Sequence, residues 1–301
     1  MSGAAINVSI VGASGYVGGE LLRLLLDHPH VEVAQATSES HLGEFVYQQH
    51  PNLRKRTGLK FTSREMLAPC DVLFLGLPHG DSQQHIQKYT GLATKVIDCS
   101  ADFRLRDAVI YKKYYGEDHL AQDWLARFVY GLPELHRQEM ASASYISGVG
   151  CNATAAILAL LPPLKAGLLD LNKPAIVDIK VGSSEAGQSP NPGSHHPERS
   201  SVVRTFSAYG HRHTAEVKQE LGLENVHLTM TSVDLVRGAL AAAHVFVRPG
   251  VSEKELWRAY RGWAENEPFV RVVKDRRGIY RVPEPKILAG MFPCQDGGFI
   301  F

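Results

Sequence analysis

A glycine-rich turn between a short strand and a helix is the feature that most restricts the fold of this chain. Residues 6–11 are an apolar, β-branched run typical of a buried strand, and the turn after it contains Gly12, Gly15, Gly18 and Gly19. An apolar helical pattern over residues 20–26 and a strand pattern over residues 31–36 complete a βαβ unit. Glycines at such a turn let the backbone approach a pyrophosphate, and the helix start supplies free N–H donors. The context predicts dinucleotide binding, although tight packing at a plain helix start explains the same glycines.

The end of the second strand bears on the choice between NAD and NADP. An acidic residue there binds the ribose 2′-hydroxyl and repels a 2′-phosphate. Here Thr37 and Ser38 offer hydroxyls that suit a phosphate, whereas Glu39 opposes one if it points inward, so the residues leave the choice open. Further strands over residues 72–77 and 95–99 alternate with helical segments and predict an α/β fold with a Rossmann-type, doubly wound parallel sheet. Ligands bind at the carboxyl ends of such strands, where Pro78 lies.

Length and composition are those of a globular protein with two domains. The chain has 301 residues, 44% of them apolar, and about 150 residues is the usual size of a domain. A net charge of +1 argues against nucleic acid or an anionic membrane surface as partner, and no apolar run reaches the roughly 18 residues of a spanning helix. The N-terminus lacks the basic start of a signal peptide. The four cysteines are far apart, so we expect no disulfide framework and a reducing, cytoplasmic location.

A cysteine at a predicted helix start is the candidate nucleophile. Cys151 follows a glycine pair and precedes a strongly apolar helix, which we expect to end at Pro162 and Pro163. Amide donors and the helix dipole favour thiolate over thiol there, and thiolate is the form that attacks carbonyl carbon. Cysteine is otherwise more often a small core residue, but the glycines and the polar Asn152 favour a nucleophile. We interpret the other cysteines as structural: Cys70, Cys99 and Cys294.

Two histidines and an arginine supply further parts of an acyl-transfer site. His211 and His213 alternate, so in an extended stretch they would share a face, where one acts on the thiol and the other positions substrate; a solvated helix start is the alternative. The polar loop around Ser184 suits a small ligand or is a plain turn. The Arg104 guanidinium holds a phosphate or carboxylate, or forms a surface ion pair. We predict no metal site, because no Cys or carboxylate set completes a ligand spacing.

These parts fit reduction of an activated acyl group to an aldehyde through a thioester, with a nicotinamide cofactor as hydride donor. They also carry a family resemblance. The chain resembles the N-acetyl-gamma-glutamyl-phosphate reductases, relatives of aspartate-semialdehyde dehydrogenase, in the segments 12–16, 77–80, 100–105, 131–135, 150–151 and 210–214. Residues 152–154, 194–199 and 50–54 are most similar to the lysine-biosynthesis branch, which reduces an aminoadipyl 6-phosphate attached to a small acidic amino-group carrier protein. Some relatives also accept the carrier-linked glutamyl phosphate.

The resemblance implies a dinucleotide-binding domain over residues 1–148 and an α+β catalytic domain with a mixed sheet over residues 149–301. It implies NADPH as hydride donor, Cys151 as nucleophile and His211 as acid/base. Our own hypothesis adds that backbone N–H groups near Asn152 hold the oxyanion. It also implies a homo-oligomer, since relatives are commonly dimers or tetramers. Near the substrate it places Arg104, Ser184 and His213, and around the cofactor Gly12, Ser14, Gly15, Tyr16 and Val17, with Ser38 and Pro78 as predicted above.

Three points stay open at this stage. Relatives often have arginine where this chain has Glu39, which weakens the NADP assignment. Residues 290–294 depart from the family pattern and the family's closing helix is absent, so we expect a fragment or a changed reading frame that folds poorly or is inactive. Residues 54–56 or 274–277 are candidates for carrier docking, and a solvated charged turn explains either equally well. The alternative functions are reduction of free N-acetyl-glutamyl phosphate and a nucleotide-binding module without catalysis.

Overall fold

The computed structural model describes residues 4–273, 275–288 and 299–300. The chain divides into two compact units, Met1–Val149 and Gly150–Phe301. Lys274, in one candidate docking segment, and the divergent residues 290–294 lie outside the described residues. Within the described ranges, none of the helices combines the length and the apolar character that crossing a bilayer requires.

A seven-stranded parallel sheet forms the centre of the first unit. Its strands are β1 (Ile6–Val11), β2 (Val31–Thr37), β3 (Phe61–Thr62), β4 (Cys70–Leu75), β5 (Ala93–Asp98), β6 (Val129–Tyr130) and β7 (Tyr145–Ser147). Their order in space is β3-β2-β1-β4-β5-β7-β6, and the neighbouring strands pair in parallel. The helices of this unit are α1 (Tyr16–Leu25), α2 (Val46–Gln49), α3 (Asp81–Thr90), α4 (Ala108–Tyr115), α5 (Gln122–Leu125) and α6 (Pro133–Ser142). The order extends from β1 in both directions, so the predicted Rossmann-type, doubly wound sheet is confirmed.

The first βαβ unit owes its geometry to burial on one face of α1. Val8 and Ile10 of β1 pack with Leu22 of α1 in one hydrophobic core, and all three are almost fully buried. The helix begins at Tyr16, earlier than the apolar pattern over residues 20–26 predicts. The apolar pattern covers only the turns of α1 that pack on the core. The side chains of Tyr16 and Val17 in the first turn are exposed, so this turn lies outside the pattern.

A mixed four-stranded sheet forms the centre of the second unit. Its strands are β8 (Ala175–Val181), β9 (Val203–Ser207), β10 (Val226–Val233) and β11 (Ala239–His244). In the order β11-β8-β10-β9, the two central strands are parallel and the two outer strands antiparallel to them, which confirms the predicted mixed sheet. A short parallel pair, β12 (Val270–Arg271) and β13 (Phe299–Ile300), lies apart from this sheet. The helices are α7 (Cys151–Lys165), α8 (His196–Arg199), α9 (His213–Leu221), α10 (Glu253–Ala264) and α11 (Pro285–Leu288).

Helix α7 continues through both prolines, so its predicted end at Pro162 and Pro163 is wrong. A proline has no N–H, so Pro163 leaves the carbonyl of Ala159, four residues earlier, without its helical donor. The hydroxyl of Tyr260 on α10 donates a hydrogen bond to that carbonyl at 2.6 Å. Local sequence rules predict that the helix ends at these prolines. It continues because α7 is buried and because a residue far along the chain replaces the missing donor.

Tyr260→Phe tests this replacement. We expect the free energy of unfolding of the second unit to fall by about 1–3 kcal/mol, the usual cost of leaving a buried acceptor unsatisfied. Denaturant titration measures the change, and Tyr209→Phe serves as the control because Tyr209 is 84% exposed. An unchanged midpoint for Tyr260→Phe would show that water can donate the hydrogen bond to the Ala159 carbonyl in place of Tyr260.

Candidate active site

The turn between β1 and α1 has the shape that a pyrophosphate requires. Gly12 has a φ of +73°, and a Cβ there would lie 2.3 Å from the carbonyl oxygen of Gly76. Gly15 is the N-cap of α1 and provides no side-chain cap, and the first turn contains no acidic residue. The backbone N–H groups of Tyr16 and Val17 therefore lie at the N-terminal end of α1, and this end of a helix favours anions. The predicted cofactor residues in this turn lie together and fit a dinucleotide.

The hydroxyls predicted at the end of β2 also lie at this turn. The Oγ atoms of Ser14 and Ser38 are 2.8 Å apart, and the Oγ of Ser40 lies 3.3 Å from that of Ser38. The Glu39 carboxylate accepts a hydrogen bond from the backbone N–H of Arg64 at 2.8 Å, and the guanidinium of Arg64 lies 3.8 Å from the same oxygen. The negative charge of Glu39 is therefore partly compensated.

His50 supports the turn and has no role in the sequence analysis beyond its place in a family segment. Its Nε2 is hydrogen-bonded to the carbonyl of Ala13 at 2.8 Å. The ring occupies the space beside Gly19, where a Cβ would lie 2.6 Å from the nearest ring carbon. Sequence reasoning missed this contact, since only the fold brings the segment after α2 to the glycine turn.

A buried aspartate after β5 fixes the loop that contains Pro78. Asp102 accepts hydrogen bonds from the backbone N–H groups of Gly80 at 2.7 Å and Gln83 at 3.0 Å, and its Oδ1 lies 2.8 Å from Nδ1 of His79. Burial raises the pKa of Asp102, but the contact with His79 and the hydrogen bonds from Gly80 and Gln83 outweigh burial and lower the pKa overall. Pro78 itself is exposed, directly after the buried Leu77 and close in sequence to the carboxyl end of β4.

Cys151 is the first residue of α7 and is exposed. Its Sγ lies 3.7 Å from Oδ1 of the buried Asn152, and the amide of Asn152 donates to the Glu185 carboxylate at 3.3 Å. Burial raises the pKa of the Cys99 thiol to about 12 and raises that of Cys70, which suits their predicted structural role. Cys294 lies outside the described residues.

The two predicted histidines meet, although the stretch is not extended. His213 is the first residue of α9 and His211 lies in the turn before it, with their ring centroids 4.6 Å apart. The expectation of an extended stretch is wrong because the start of the helix bends the chain here. The backbone N–H of His213 donates to Nδ1 of His211 at 3.2 Å, which leaves Nε2 for a reacting group. Burial, followed by the nearby charge of Arg212, lowers the pKa of His211 to about 4, so the ring is neutral at neutral pH.

A buried glutamate joins this turn to the start of α7. Glu216 accepts the backbone N–H of Gly150 at 3.0 Å, and its other oxygen lies 3.7 Å from Nε2 of His213. A side chain at position 150 would meet that ring nitrogen at 2.7 Å, so only glycine allows His213 to lie this close to the nucleophile segment. The i, i+3 spacing of His213 and Glu216 at a helix start was the available signal for this residue.

The structure places the remaining predicted residues in different units. Ser184 lies in the short helical turn Ser183–Ala186, next to Glu185 and hence near Asn152. Arg104 belongs to the first unit, where its Nε donates to the carbonyl of Gly148 at 3.0 Å. The second unit therefore brings together the predicted thiol, amide and histidines with Glu185 and Glu216.

Two family profiles match the chain. The semialdehyde dehydrogenase NAD binding domain matches residues 7–143, and the semialdehyde dehydrogenase dimerisation domain matches residues 151–296. Among solved structures, aspartate semialdehyde dehydrogenase II from Vibrio cholerae aligns with a TM-score of 0.66 at 14% identity, covering 94% of this chain and 84% of that one. The aspartate semialdehyde dehydrogenase with NADP from Candida albicans aligns with a TM-score of 0.62 at 14% identity, covering 94% and 85%. The fold and site thus define an oxidoreductase with a nicotinamide-binding domain and a catalytic domain of the semialdehyde dehydrogenase type.

Curated relatives narrow this class. The LysW-L-2-aminoadipate 6-phosphate reductase of Deinococcus radiodurans is 46% identical over 298 residues, 99% of this chain and 85% of that protein. The LysW-L-2-aminoadipate/LysW-L-glutamate phosphate reductase of Sulfurisphaera tokodaii is 44% identical over 293 residues, 95% and 83%. A relative from Thermomicrobium roseum is 54% identical over 296 residues, 97% and 84%. The chain belongs to the semialdehyde dehydrogenase family, and within it to the branch of these carrier-linked phosphate reductases, which confirms the resemblance.

Proposed function

We propose that the chain reduces a carrier-linked aminoadipyl 6-phosphate to the semialdehyde with release of phosphate, in lysine biosynthesis. Carrier-linked glutamyl 5-phosphate is a second substrate of the same chemistry, as the name of the Sulfurisphaera relative suggests. The observation that carries the proposal is the exposed Cys151 at the start of α7, in the unit that also holds the neutral His211. A reducing cytoplasm would keep this exposed sulfur as a thiol.

The chemistry takes two steps on one sulfur. In the first, His211 takes the proton of the Cys151 thiol, the thiolate attacks the acyl carbon, and the carbon–oxygen bond to phosphate breaks. Backbone N–H groups at the start of α7, near Asn152, hold the oxyanion, and the departing phosphate takes the proton from His211. Bound anionic substrate favours the imidazolium that this step needs, against the burial that lowers the His211 pKa to about 4.

The second step reduces the thioester carbon, and a nicotinamide cofactor, when bound, would supply the hydride. The carbon–sulfur bond then breaks, the aldehyde leaves, and a proton from water reaches the departing sulfur through His211. The residues that hold the cofactor are those of the β1–α1 turn and the loop after β4: Gly12, Ser14, Gly15, Tyr16, Val17, Ser38 and Pro78. His213 and Ser184 position the substrate beside the thiol.

NADPH is the cofactor that we propose. Three serine hydroxyls lie together and suit a 2′-phosphate: that of Ser14 in the β1–α1 turn and those of Ser38 and Ser40 just after β2. The arginine that relatives have near this position is absent, but the guanidinium of Arg64 comes from the segment after β3 and lies beside Glu39. A matched assay with NADPH and NADH measures the preference.

Two surfaces support the proposed partners. In the first unit, Phe45 and Tyr47 stack at 5.0 Å, with Lys60 4.6 Å above one ring and the guanidinium of Arg54 6.0 Å from the other. This basic, aromatic patch suits an acidic carrier protein. In the second unit, side chains of β8 alternate between buried and more exposed, and Ile176 is 41% exposed, so the sheet offers a face for a second copy of the chain.

A comparison of two acyl phosphates tests the proposal. Purified chain with NADPH should reduce the carrier-linked aminoadipyl phosphate far more efficiently than free N-acetyl-glutamyl phosphate, measured as kcat/KM. Equal or better use of the free substrate would favour the arginine-pathway reaction instead. Cofactor binding without turnover of either substrate would favour a nucleotide-binding module without catalysis.

A further inference from the structure

A fully buried carboxylate from a distant segment caps the start of α3. Gly80 is the N-cap of this helix, has a left-handed φ of +91°, and has no side chain that could accept the first N–H groups. Asp102 does so in its place, since it accepts the backbone N–H of Gln83 at 3.0 Å and that of Gly80 at 2.7 Å. Although burial raises the pKa of Asp102, its partners lower the pKa overall, so the group is a carboxylate at neutral pH. A buried charge therefore holds the end of the loop that joins β4 to α3.

The imidazole of His79, in the middle of this loop, reaches the same carboxylate. Its Nδ1 lies 2.8 Å from Oδ1 of Asp102. The ring of Tyr115 stacks on the imidazole, with the centroids 4.5 Å apart and an angle of 30° between the planes. On the other side of the imidazole, Nε2 lies 3.3 Å from the hydroxyl of the buried Tyr111 and 3.6 Å from the Glu117 carboxylate. Contacts with a charge, a ring and a hydroxyl therefore fix the orientation of His79.

The loop after β4 lies beside the glycine turn of the cofactor site. The strands β1 and β4 are neighbours, and the backbone N–H of Gly76 donates to the carbonyl of Val11 at 2.8 Å. The strand order reverses between β1 and β4, and in a doubly wound sheet the two mononucleotide halves of a dinucleotide bind on the two sides of this point. The serine hydroxyls near the end of β2 suit the 2′-phosphate of the adenosine half. The loop after β4 is therefore on the side of the nicotinamide half.

We propose that His79 is a positioning residue for the nicotinamide half of the cofactor, because its contact with Asp102 holds the loop after β4 in the conformation that binds this half. The proposal rests on the proposed function for the choice of NADPH. A loop that is already fixed loses little conformational freedom when a ligand binds, so more of the interaction energy appears as affinity. The contact with Asp102 therefore acts on cofactor binding through the loop.

Binding titrations with two ligands test the proposal. NADPH contains both halves of the cofactor, whereas adenosine 2′,5′-bisphosphate is the adenosine half alone. We expect His79→Leu, which cannot donate to Asp102, to raise the Kd of NADPH about tenfold, the low end of what a hydrogen bond to a charged group contributes. The Kd of adenosine 2′,5′-bisphosphate should stay nearly unchanged. His79→Asn should restore most of the NADPH affinity, because its amide nitrogen can take the position of Nδ1. His85→Leu, at an exposed position of α3, is the matched control and should bind both ligands as the wild type does.

Three results would overturn the role of His79. They are an unchanged Kd of NADPH in His79→Leu, an equal loss of affinity for both ligands, and an NADPH affinity of His79→Asn as low as that of His79→Leu. Retained binding of adenosine 2′,5′-bisphosphate, with a denaturant titration of each variant, identifies a loss that comes from misfolding alone. The titrations use no acyl phosphate. A chain that binds NADPH but reduces no acyl phosphate would therefore contradict the proposed function and leave the result for His79 unaffected.

Discussion

Cys151→Ser should lower turnover by at least about 10⁴-fold, in line with the losses that follow removal of an enzymatic nucleophile. The serine hydroxyl ionises far less readily than a thiol, and the available base is weak because the pKa of His211 is lowered to about 4. NADPH affinity should stay nearly unchanged, since the proposed cofactor residues belong to the first unit. Turnover is followed by NADPH oxidation and affinity by a binding titration on the same preparation.

Alkylation is a second test of the reactivity of Cys151. Iodoacetamide at neutral pH should modify Cys151 faster than a model thiol, because a helix start favours the thiolate. Cys99 and Cys70 should react slowly, since burial raises the pKa of both thiols. Cys70→Ser is the control and should keep both activity and the rapid phase. Substantial turnover by Cys151→Ser would remove the thioester step from the mechanism.

Local patterns predicted the parts of the fold that local forces determine. The β1–α1–β2 unit and the position of Cys151 at a helix start follow from glycine spacing and apolar periodicity within short windows. The end of α7 does not follow from such local patterns, because Tyr260 replaces a hydrogen bond that Pro163 removes, and the two residues are far apart in sequence. Short strands such as β3 carry too few residues for an alternating pattern.

The site shows the same division. Cys151, His211 and His213 carry chemistry that is visible in the sequence, whereas Glu216 looks like an ordinary charged helix residue there. Its importance comes from burial, which depends on how distant segments pack. Glu216 is fully buried and accepts a hydrogen bond from the backbone N–H of Gly150. The sequence therefore reveals reactive groups more readily than the buried charges that hold them in place.

Replacement of either of two glycines in the β1–α1 turn by alanine should impair the protein in different ways, one through stability and the other through cofactor binding. Gly12→Ala should destabilise the first unit severely, because the left-handed φ of +73° costs about 1–2 kcal/mol in alanine and the new Cβ would lie 2.3 Å from a backbone oxygen. Gly15→Ala should fold normally, because φ is −75° and the nearest atom lies at 3.7 Å. Its methyl group instead occupies the approach of the pyrophosphate to the helix start, so NADPH affinity should fall roughly tenfold or more, about 1.4 kcal/mol.

Two other glycines serve as controls that separate backbone strain from steric clash. Gly43 has a φ of +81° and open space around it, so Gly43→Ala measures the backbone strain without a clash, and Gly58→Ala has neither strain nor clash. Denaturant midpoints should rank Gly12→Ala below Gly43→Ala, with Gly58→Ala and Gly15→Ala close to wild type. NADPH titration should single out Gly15→Ala among the stable variants. Normal NADPH affinity in Gly15→Ala would show that the pyrophosphate does not approach this helix start, and the assignment of the turn as the cofactor site would be lost.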